Sequence, residues 1–308
     1  MSRIVLVATE KPFAKVAVEQ ISAVFQKAGY QMNLLENYTD PGDLLKAVET
    51  VNALIIRSDK VTAEILEAGK KLAIVVRAGA GYDNVDCVKA TEKGIVVMNT
   101  PGQNSNAVAE LAFGMMLTLA RKQYQGKSGT ELRGKRLGIH GYGNVGKYMV
   151  KIAKGFGMEV EAYGRSLTPG QALEDGAVAS KSVEELYSNC DYISINIPAN
   201  DQTKKSINYG LLSRTKKGAT IANTARKEVI DEDDLLRLMD ERPNLMYASD
   251  VAPNCAATIK EKYPERCLFT AKKMGAQTAE ANINAGIAAA KQIVAFFEQG
   301  DVSCQVNK

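Results

Sequence analysis

Short runs of β-branched and aliphatic residues alternate with longer amphipathic stretches along most of the chain. Residues 3–8 (RIVLVA), 53–58 (ALIIRS), 73–76 (AIVV) and 95–98 (IVVM) read as buried strands. Helical periodicity lies between them, near 13–28, 43–50, 62–70 and 84–93. Strands apolar on both faces and separated by helices specify a parallel sheet covered on both sides. Residues 1–100 therefore predict one doubly wound α/β unit.

Asn99-Thr100-Pro101-Gly102 breaks that rhythm. Residues 105–122 follow as a helix apolar almost all round, which predicts burial between domains or between subunits. Residues 123–136 form a polar, glycine-rich connector. A second α/β series then has strands near 137–141, 158–163, 191–196, 219–223 and 245–250. Its helices lie near 145–156, 182–189 and 231–241, and an Ala-rich helix covers 278–299.

Composition narrows the class. The 308 residues suit two domains, and 45% apolar with 24% charged excludes a disordered or collagenous chain. Lys plus Arg exceed Asp plus Glu by 39 − 35 = 4, which fits small anionic ligands better than nucleic acid. The five cysteines lack metal-site spacing and read as reduced thiols of a cytoplasmic protein. His140 is the single histidine, so no His-rich metal site is expected. The N-terminal apolar run is too short for a signal peptide. The stretch from Ala107 to Ala120 contains Glu110 and falls short of the roughly 20 residues that span a bilayer. No membrane partner is expected.

Chemistry first shows at Leu137–Gly146, where Gly141-Tyr142-Gly143-Asn144-Val145-Gly146 spells G-x-G-x-x-G between a strand and a helix. In that context the pattern is a dinucleotide-binding turn. Gly141 permits the tight turn, Gly143 lets a pyrophosphate approach, and Gly146 allows close helix–strand packing. The next strand ends in Tyr163-Gly164-Arg165-Ser166, without the acidic residue that usually marks NAD. Arg165 and Ser166 suit a 2′-phosphate, so NAD and NADP both stay open here. The alternative is a solvated Arg165 that stacks on adenine.

Several motifs jointly carry a resemblance. They are Ile56-Arg57-Ser58, Arg77 to Asp86 (RAGAGYDNVD), Asn99-Thr100-Pro101 with Asn104 to Leu111, and the glycine turn. Asn196-Ile197-Pro198, Ala222 to Arg226, Ser249-Asp250-Val251 and Lys273 to Ala276 follow. The chain resembles the D-2-hydroxyacid dehydrogenases, and within them the short phosphoglycerate dehydrogenases, over nearly its whole length. That resemblance implies two Rossmann-like domains with the active site in the cleft between them. Residues 1–100 plus 283–308 would bind substrate and residues 101–282 the cofactor. It also implies a homodimer joined through the cofactor domain, and NAD as the cofactor by family habit. The implied reaction is oxidation of 3-phospho-D-glycerate to 3-phosphohydroxypyruvate, the entry to serine biosynthesis. A hydroxypyruvate or glyoxylate reductase, or another D-2-hydroxyacid dehydrogenase, is the alternative enzyme. A non-catalytic co-repressor that senses a dinucleotide is the alternative outside enzymes.

The substrate side has a physical basis. Arg77 precedes the loop Ala78-Gly79-Ala80-Gly81, whose amides suit a carboxylate. Arg57 and Ser58 end a neighbouring strand, with Lys60 close by. Such cations match a phosphate beside a carboxylate, unless Asp59 or Asp83 claims them. By resemblance, Asn196, Ile197, Pro198, Thr203, Thr224, Ala225, Arg226, Asp250 and Gly275 join the glycine turn around the cofactor. Arg226 also sits where the family keeps its substrate arginine.

Three departures matter. The family's acid–base histidine is replaced by Lys273, expected to be buried, and its supporting glutamate by Cys255. His140 precedes the glycine turn and is expected to be a packed strand end. The connector is short for the family, and the chain lacks Trp, which argues against substrate contacts from a neighbouring subunit. The chain's end at Lys308 predicts no serine-sensing domain.

Overall fold

The computed structural model describes residues 3–308; Met1 and Ser2, which open the N-terminal apolar run, lie outside the described residues. The chain divides into two compact units. One runs to Asn104 and resumes at Thr278, and the other spans Ser105–Gln277.

The first unit contains β1 (Ile4–Thr9), α1 (Lys15–Lys27), β2 (Gln31–Glu36), α2 (Pro41–Val48), β3 (Ala53–Ile56), α3 (Ala63–Ala68), β4 (Ile74–Arg77), α4 (Cys87–Glu92) and β5 (Val96–Asn99). Its parallel sheet has the order β2-β1-β3-β4-β5. β3 is buried along its length, because helices cover both faces of Ala-Leu-Ile-Ile. β2 has no counterpart in the sequence reading. Gln-Met-Asn-Leu-Leu-Glu holds no β-branched residue and lies half exposed at the sheet edge, so no buried run marks it.

The second unit contains α5 (Ser105–Ala120), β6 (Arg136–His140), α6 (Asn144–Gly155), β7 (Glu159–Tyr163), α7 (Pro169–Asp175), β8 (Val178–Ala179), α8 (Val183–Asn189), β9 (Tyr192–Ile195), α9 (Tyr209–Leu212), β10 (Thr220–Asn223), α10 (Glu232–Glu241), β11 (Met246–Ser249), α11 (Ala256–Lys262) and β12 (Cys267–Phe269). Its parallel sheet has the order β12-β11-β10-β9-β6-β7-β8. Much of the apolar face of α5 packs within its own unit. Ala112, Phe113 and Met116 join the core that holds Leu137, Ile139 and Met149, while Met115 and Leu119 pack on Ala248. The helix stops at Ala120 rather than 122.

The last helix, α12 (Ala279–Gln299), belongs to the first unit. Its Ala285, Ala289, Ala290 and Ile293 share a core with Val5, Ala17 and Ile21. Beyond it the chain seals the exposed edge of β5. Gln305 bridges Met98 in antiparallel fashion, and Val306 N donates to Val97 O at 2.9 Å. Asn307 is buried, accepts from Val97 N at 2.8 Å and donates to Ile95 O at 2.8 Å. Asn307→Ala strands both backbone groups, so it is expected to destabilise the fold by about 1–3 kcal/mol. Denaturant titration checks this, and an unchanged midpoint contradicts it.

Among the described residues, no helix is long and apolar enough to cross a membrane.

Candidate active site

The order of the second sheet reverses at β6, whose neighbours are β7 and β9. Open α/β sheets hold ligands beyond the carboxyl ends of their strands at such a point. Gly141 lies there with φ 101°. A Cβ on it would stand 2.8 Å from the carbonyl carbon of Asn196, which follows β9. Only glycine fits that turn. Gly146 packs α6 onto β6, since a Cβ there would be 3.1 Å from Gly141 O. Above Gly143, by contrast, no atom other than those of its chain neighbours lies within 4 Å of where a Cβ would stand.

Gly143 is the N-cap of α6 and brings no side chain to it. The N–H groups of Asn144, Val145 and Gly146 fall in the first turn, where no helical acceptor exists. Open space, free donors and the positive end of a helix together suit a pyrophosphate. Tyr142 contributes backbone only, because its hydroxyl donates to Asp175 Oδ2 at 2.6 Å and ties the turn to α7. Gly164 packs under Tyr142. Arg165 and Ser166 are exposed, and Arg165 Nη2 donates to Gln202 Oε1 at 3.2 Å. Asn196 N donates to His140 O at 2.7 Å, keeping Asn196-Ile197-Pro198 beside the glycine turn. Thr203 Oγ1 donates to Pro198 O at 2.5 Å and closes that loop.

The next strand end carries Thr224-Ala225-Arg226. Asn223 is buried and shapes the turn: its Oδ1 accepts from Ala225 N at 3.0 Å, and its Nδ2 donates to Arg226 O at 2.9 Å. Arg226 Nη1 folds back onto Ala225 O at 3.0 Å. Thr224 Oγ1 is buried without a hydrogen-bond partner among the described residues. Such a hydroxyl calls for a ligand or water.

Asp250 follows β11 and is buried. Its Oδ1 accepts from Thr270 Oγ1 at 2.9 Å and Met274 N at 2.7 Å, and its Oδ2 from Gly275 N at 2.8 Å. A side chain on Gly275 would collide with that carboxylate, the Cβ falling 2.9 Å from Oδ2. Asp250 and Gly275 thus first serve to hold the Lys273 loop. Because that anchor is made through the backbone, Lys273 itself is exposed. The expected burial of Lys273 is not met. The position five after Asp250 also differs from expectation. Cys255 is half-buried, and its amide donates to Glu232 Oε2 at 2.9 Å, so a carboxylate does reach it. Burial and Glu232 push the Cys255 thiol up to about 12, so it stays protonated.

In the first unit the order reverses between β1 and β3. Arg57, just past β3, spans this point. Its Nη1 donates to Lys11 O at 3.1 Å and Pro12 O at 3.3 Å, and its Nη2 to Asn282 Oδ1 at 2.6 Å. Its guanidinium also lies 5.1 Å from the Phe13 ring centre. Arg57 therefore clamps the β1–α1 loop to α12. Asp59 is buried and accepts from the Arg57 amide at 3.0 Å and the Tyr38 hydroxyl at 2.8 Å. Ser58 and Lys60 are exposed, and Lys60 lines a shallow cavity with Thr62, Asp83 and Asp86.

Arg77 ends β4 and donates from Nε to Arg57 O at 3.0 Å. Its guanidinium lies on Gly79, whose φ is 148°; a Cβ there would overlap Nη1 at 1.4 Å. Asn84 donates to Arg57 O at 3.2 Å and Asp59 O at 2.6 Å, and Asn99 to Ala80 O at 2.6 Å. These bonds fix Ala78-Gly79-Ala80-Gly81 around the arginine. The structure brings Arg77 and that loop together, while Arg57 meets them through its carbonyl.

His140 is buried, with Nδ1 3.2 Å from the Tyr187 hydroxyl and its ring edge-on to Tyr187. Burial pulls its pKa down to about 4. The unfolded chain, with an ordinary pKa near 6.5, takes up the proton first as pH falls. Stability from this site is therefore full above about pH 6.5 and lost between there and about pH 4, up to about 3 kcal/mol. His140→Phe is expected to lose less stability than the parent between pH 7 and 4.5. Equal losses in parallel urea titrations contradict this.

Asn84 and Asn223 lie within motifs singled out in the sequence but had no role assigned there, and Glu232 was not singled out at all. Only the fold reveals their roles, because each acts on backbone groups brought close by it. The open space over Gly143 and the lone hydroxyl of Thr224 both fit a dinucleotide.

Comparison with known proteins agrees. The family described as D-isomer specific 2-hydroxyacid dehydrogenase, NAD binding domain, matches residues 109–270. The hydroxypyruvate reductase of Thermotoga maritima is 36% identical over 289 residues, 88% of this chain and 92% of that protein. The D-3-phosphoglycerate dehydrogenase of Rattus norvegicus is 33% identical over 298 residues, 92% of this chain but 56% of that protein. The crystal structure of NAD+-bound 3-phosphoglycerate dehydrogenase in Entamoeba histolytica superposes with a TM-score of 0.88. It is 44% identical, covering 100% of this chain and 99% of that one.

Proposed function

Because the chain belongs to the D-isomer specific 2-hydroxyacid dehydrogenase family and carries its NAD-binding domain, we propose that it oxidises 3-phospho-D-glycerate to 3-phosphohydroxypyruvate, the first step of phosphorylated serine biosynthesis. The observation that carries this reading is Arg77, set on Gly79 within a loop of amides. An arginine fork beside backbone donors suits a substrate bearing several anionic oxygens. The 44% identity to a 3-phosphoglycerate dehydrogenase supports the same substrate.

The residues divide the chemistry between them. The Gly141–Gly146 turn would hold the pyrophosphate of NAD, with Asn196, Thr203 and Thr224 nearby. Bound NAD supplies the hydride acceptor. Arg226 would grip the carboxylate and the reacting oxygen, and stabilise charge as it develops there. Lys273 would take the hydroxyl proton as the C2 hydride leaves, and return a proton to the carbonyl oxygen in the reverse direction. The proposed setting is the cytoplasm, and the proposed assembly a homodimer through the cofactor domain, which light scattering after gel filtration would test.

One observation favours a second reading. Arg57 is engaged with Lys11, Pro12 and Asn282, which leaves less cationic capacity for a phosphate. An unphosphorylated substrate such as hydroxypyruvate then becomes the alternative, and the Thermotoga maritima relative points the same way. The deciding measurement is kcat/KM for 3-phosphohydroxypyruvate against hydroxypyruvate and glyoxylate, each with NADH and NADPH. The proposal requires the phosphorylated ketoacid with NADH to lead.

A further inference from the structure

Glu232 opens α10 and touches none of the groups assigned above to substrate or cofactor. Its carboxylate reaches 22 residues along the chain. Oε1 accepts from Asn254 N at 3.0 Å and Asn254 Nδ2 at 3.3 Å, and Oε2 from Cys255 N at 2.9 Å. One carboxylate on two successive amides fixes a turn in both position and rotation, and the charge strengthens each bond. Asn254 in turn accepts at Oδ1 from Lys227 Nζ at 2.7 Å. Lys227 directly follows Arg226.

The held turn begins at Asp250, whose two oxygens hold Thr270, Met274 and Gly275. An unbroken path of hydrogen bonds and short chain segments therefore runs from the Arg226 turn through Lys227, Asn254 and Glu232 to Asp250 and the Lys273 loop. The turn between needs holding. Val251 has φ 144°, a region a β-branched residue enters only under constraint. Pro253 in its middle is buried, and Glu232 holds its far end.

We propose that Glu232 is a positioning residue that sets the Arg226 turn and the Lys273 loop in register, through Asn254–Lys227 on one side and the 250–255 turn on the other. This rests on the roles given to Arg226 and Lys273 under the proposed function. Arginine and lysine must address the same substrate oxygen, and an error of about 1 Å in such a pair costs up to about 10²-fold in rate. No direct bond between the two side chains is required, because the register is carried by backbone.

The test uses the full chain and counts active sites by NADH titration, so that unfolded protein does not enter kcat. Glu232→Ala is expected to lower kcat roughly 10–100-fold while the KM for NAD stays within about 2-fold. Glu232→Gln keeps one acceptor oxygen and should recover part of the loss. Asn254→Ala cuts only the arm to Lys227 and should cost about 3–10-fold, with little added loss when combined with Lys227→Met. A merely structural glutamate would lower Tm and the number of sites but leave kcat per site within about 2-fold, which overturns the proposal. Should Glu232→Ala not fold, Asn254→Ala decides, and an unchanged kcat per site overturns it. If the parent turns over no 2-hydroxy acid, the proposed function fails separately. Hydrogen exchange then judges Glu232: faster exchange in Glu232→Gln at both 224–227 and 273–275 supports the register, and change confined to 254–255 overturns it.

Discussion

Lys273→Met is expected to lower kcat by roughly 10²–10⁴-fold with little change in the KM for NAD. Hydride leaves C2 only as the hydroxyl proton is accepted, and the ordinary family base is absent at this position. Lysine fills the place, exposed on a loop whose backbone is pinned to Asp250. Fixing the loop by its amides sets the Cα of Lys273, from which, in the proposed role, the long side chain would extend to the substrate. Lys273→His alone should recover little, since no group fixes the imidazole tautomer. Adding Cys255→Glu, the family's usual partner, meets an obstacle visible only in the fold: the Cys255 amide already faces Glu232. A second carboxylate there is repelled. The gain that Cys255→Glu gives the histidine variant should therefore be small, a coupled effect rather than a sum. Near-parental kcat in Lys273→Met, with change only in the substrate KM, removes Lys273 from proton transfer.

The parts of this protein that were legible share a physical property. β3 is buried along its length and its sequence is an unbroken apolar run; β4 keeps Ile-Val-Val before the half-buried Arg77, and β9 is buried throughout with Ser194 its one polar break. Gly141 and Gly146 are forced by close backbone approach, which their spacing records. Edge elements carry no such constraint. β8 has two residues and β12 three, too short for any period. α7 did leave a signal, since Thr168 and Gln171 form a capping box ahead of its apolar residues, but its exposed face blurs the helical pattern. Arg57 shows the limit for charged residues. A strand-end arginine looks the same in sequence whether its fork meets a ligand or the carbonyls of Lys11 and Pro12. Lys273 shows the same for burial, because solvent access in a loop depends on where the anchor lies. Here the anchor is an aspartate 24 residues away from Met274.

Arg226→Lys is expected to reduce kcat/KM for the hydroxy acid by roughly 10²–10³-fold while NADH binding, followed by fluorescence, stays near parental. In the proposed role the turn would aim a planar fork. Arg226 itself is extended, with φ −142° and ψ 142°. Asn223 grips the chain on either side of its Cα, at Ala225 N and Arg226 O, and the return bond from Nη1 to Ala225 O sets the rotation of the guanidinium. Lysine preserves the charge but has neither the plane nor the paired donors, so it cannot bridge a carboxylate and a reacting oxygen in one geometry. The loss should fall mainly on kcat, because charge on that oxygen is greatest in the transition state. Asn223→Ala should reproduce part of it, roughly 10-fold, by letting the turn drift with Arg226 intact. Combining the two should cost less than their product, since the grip has no further use once the fork is gone. If Arg226→Lys keeps kcat within about 3-fold of the parent, Arg226 acts as a point charge only, and the bidentate role is lost.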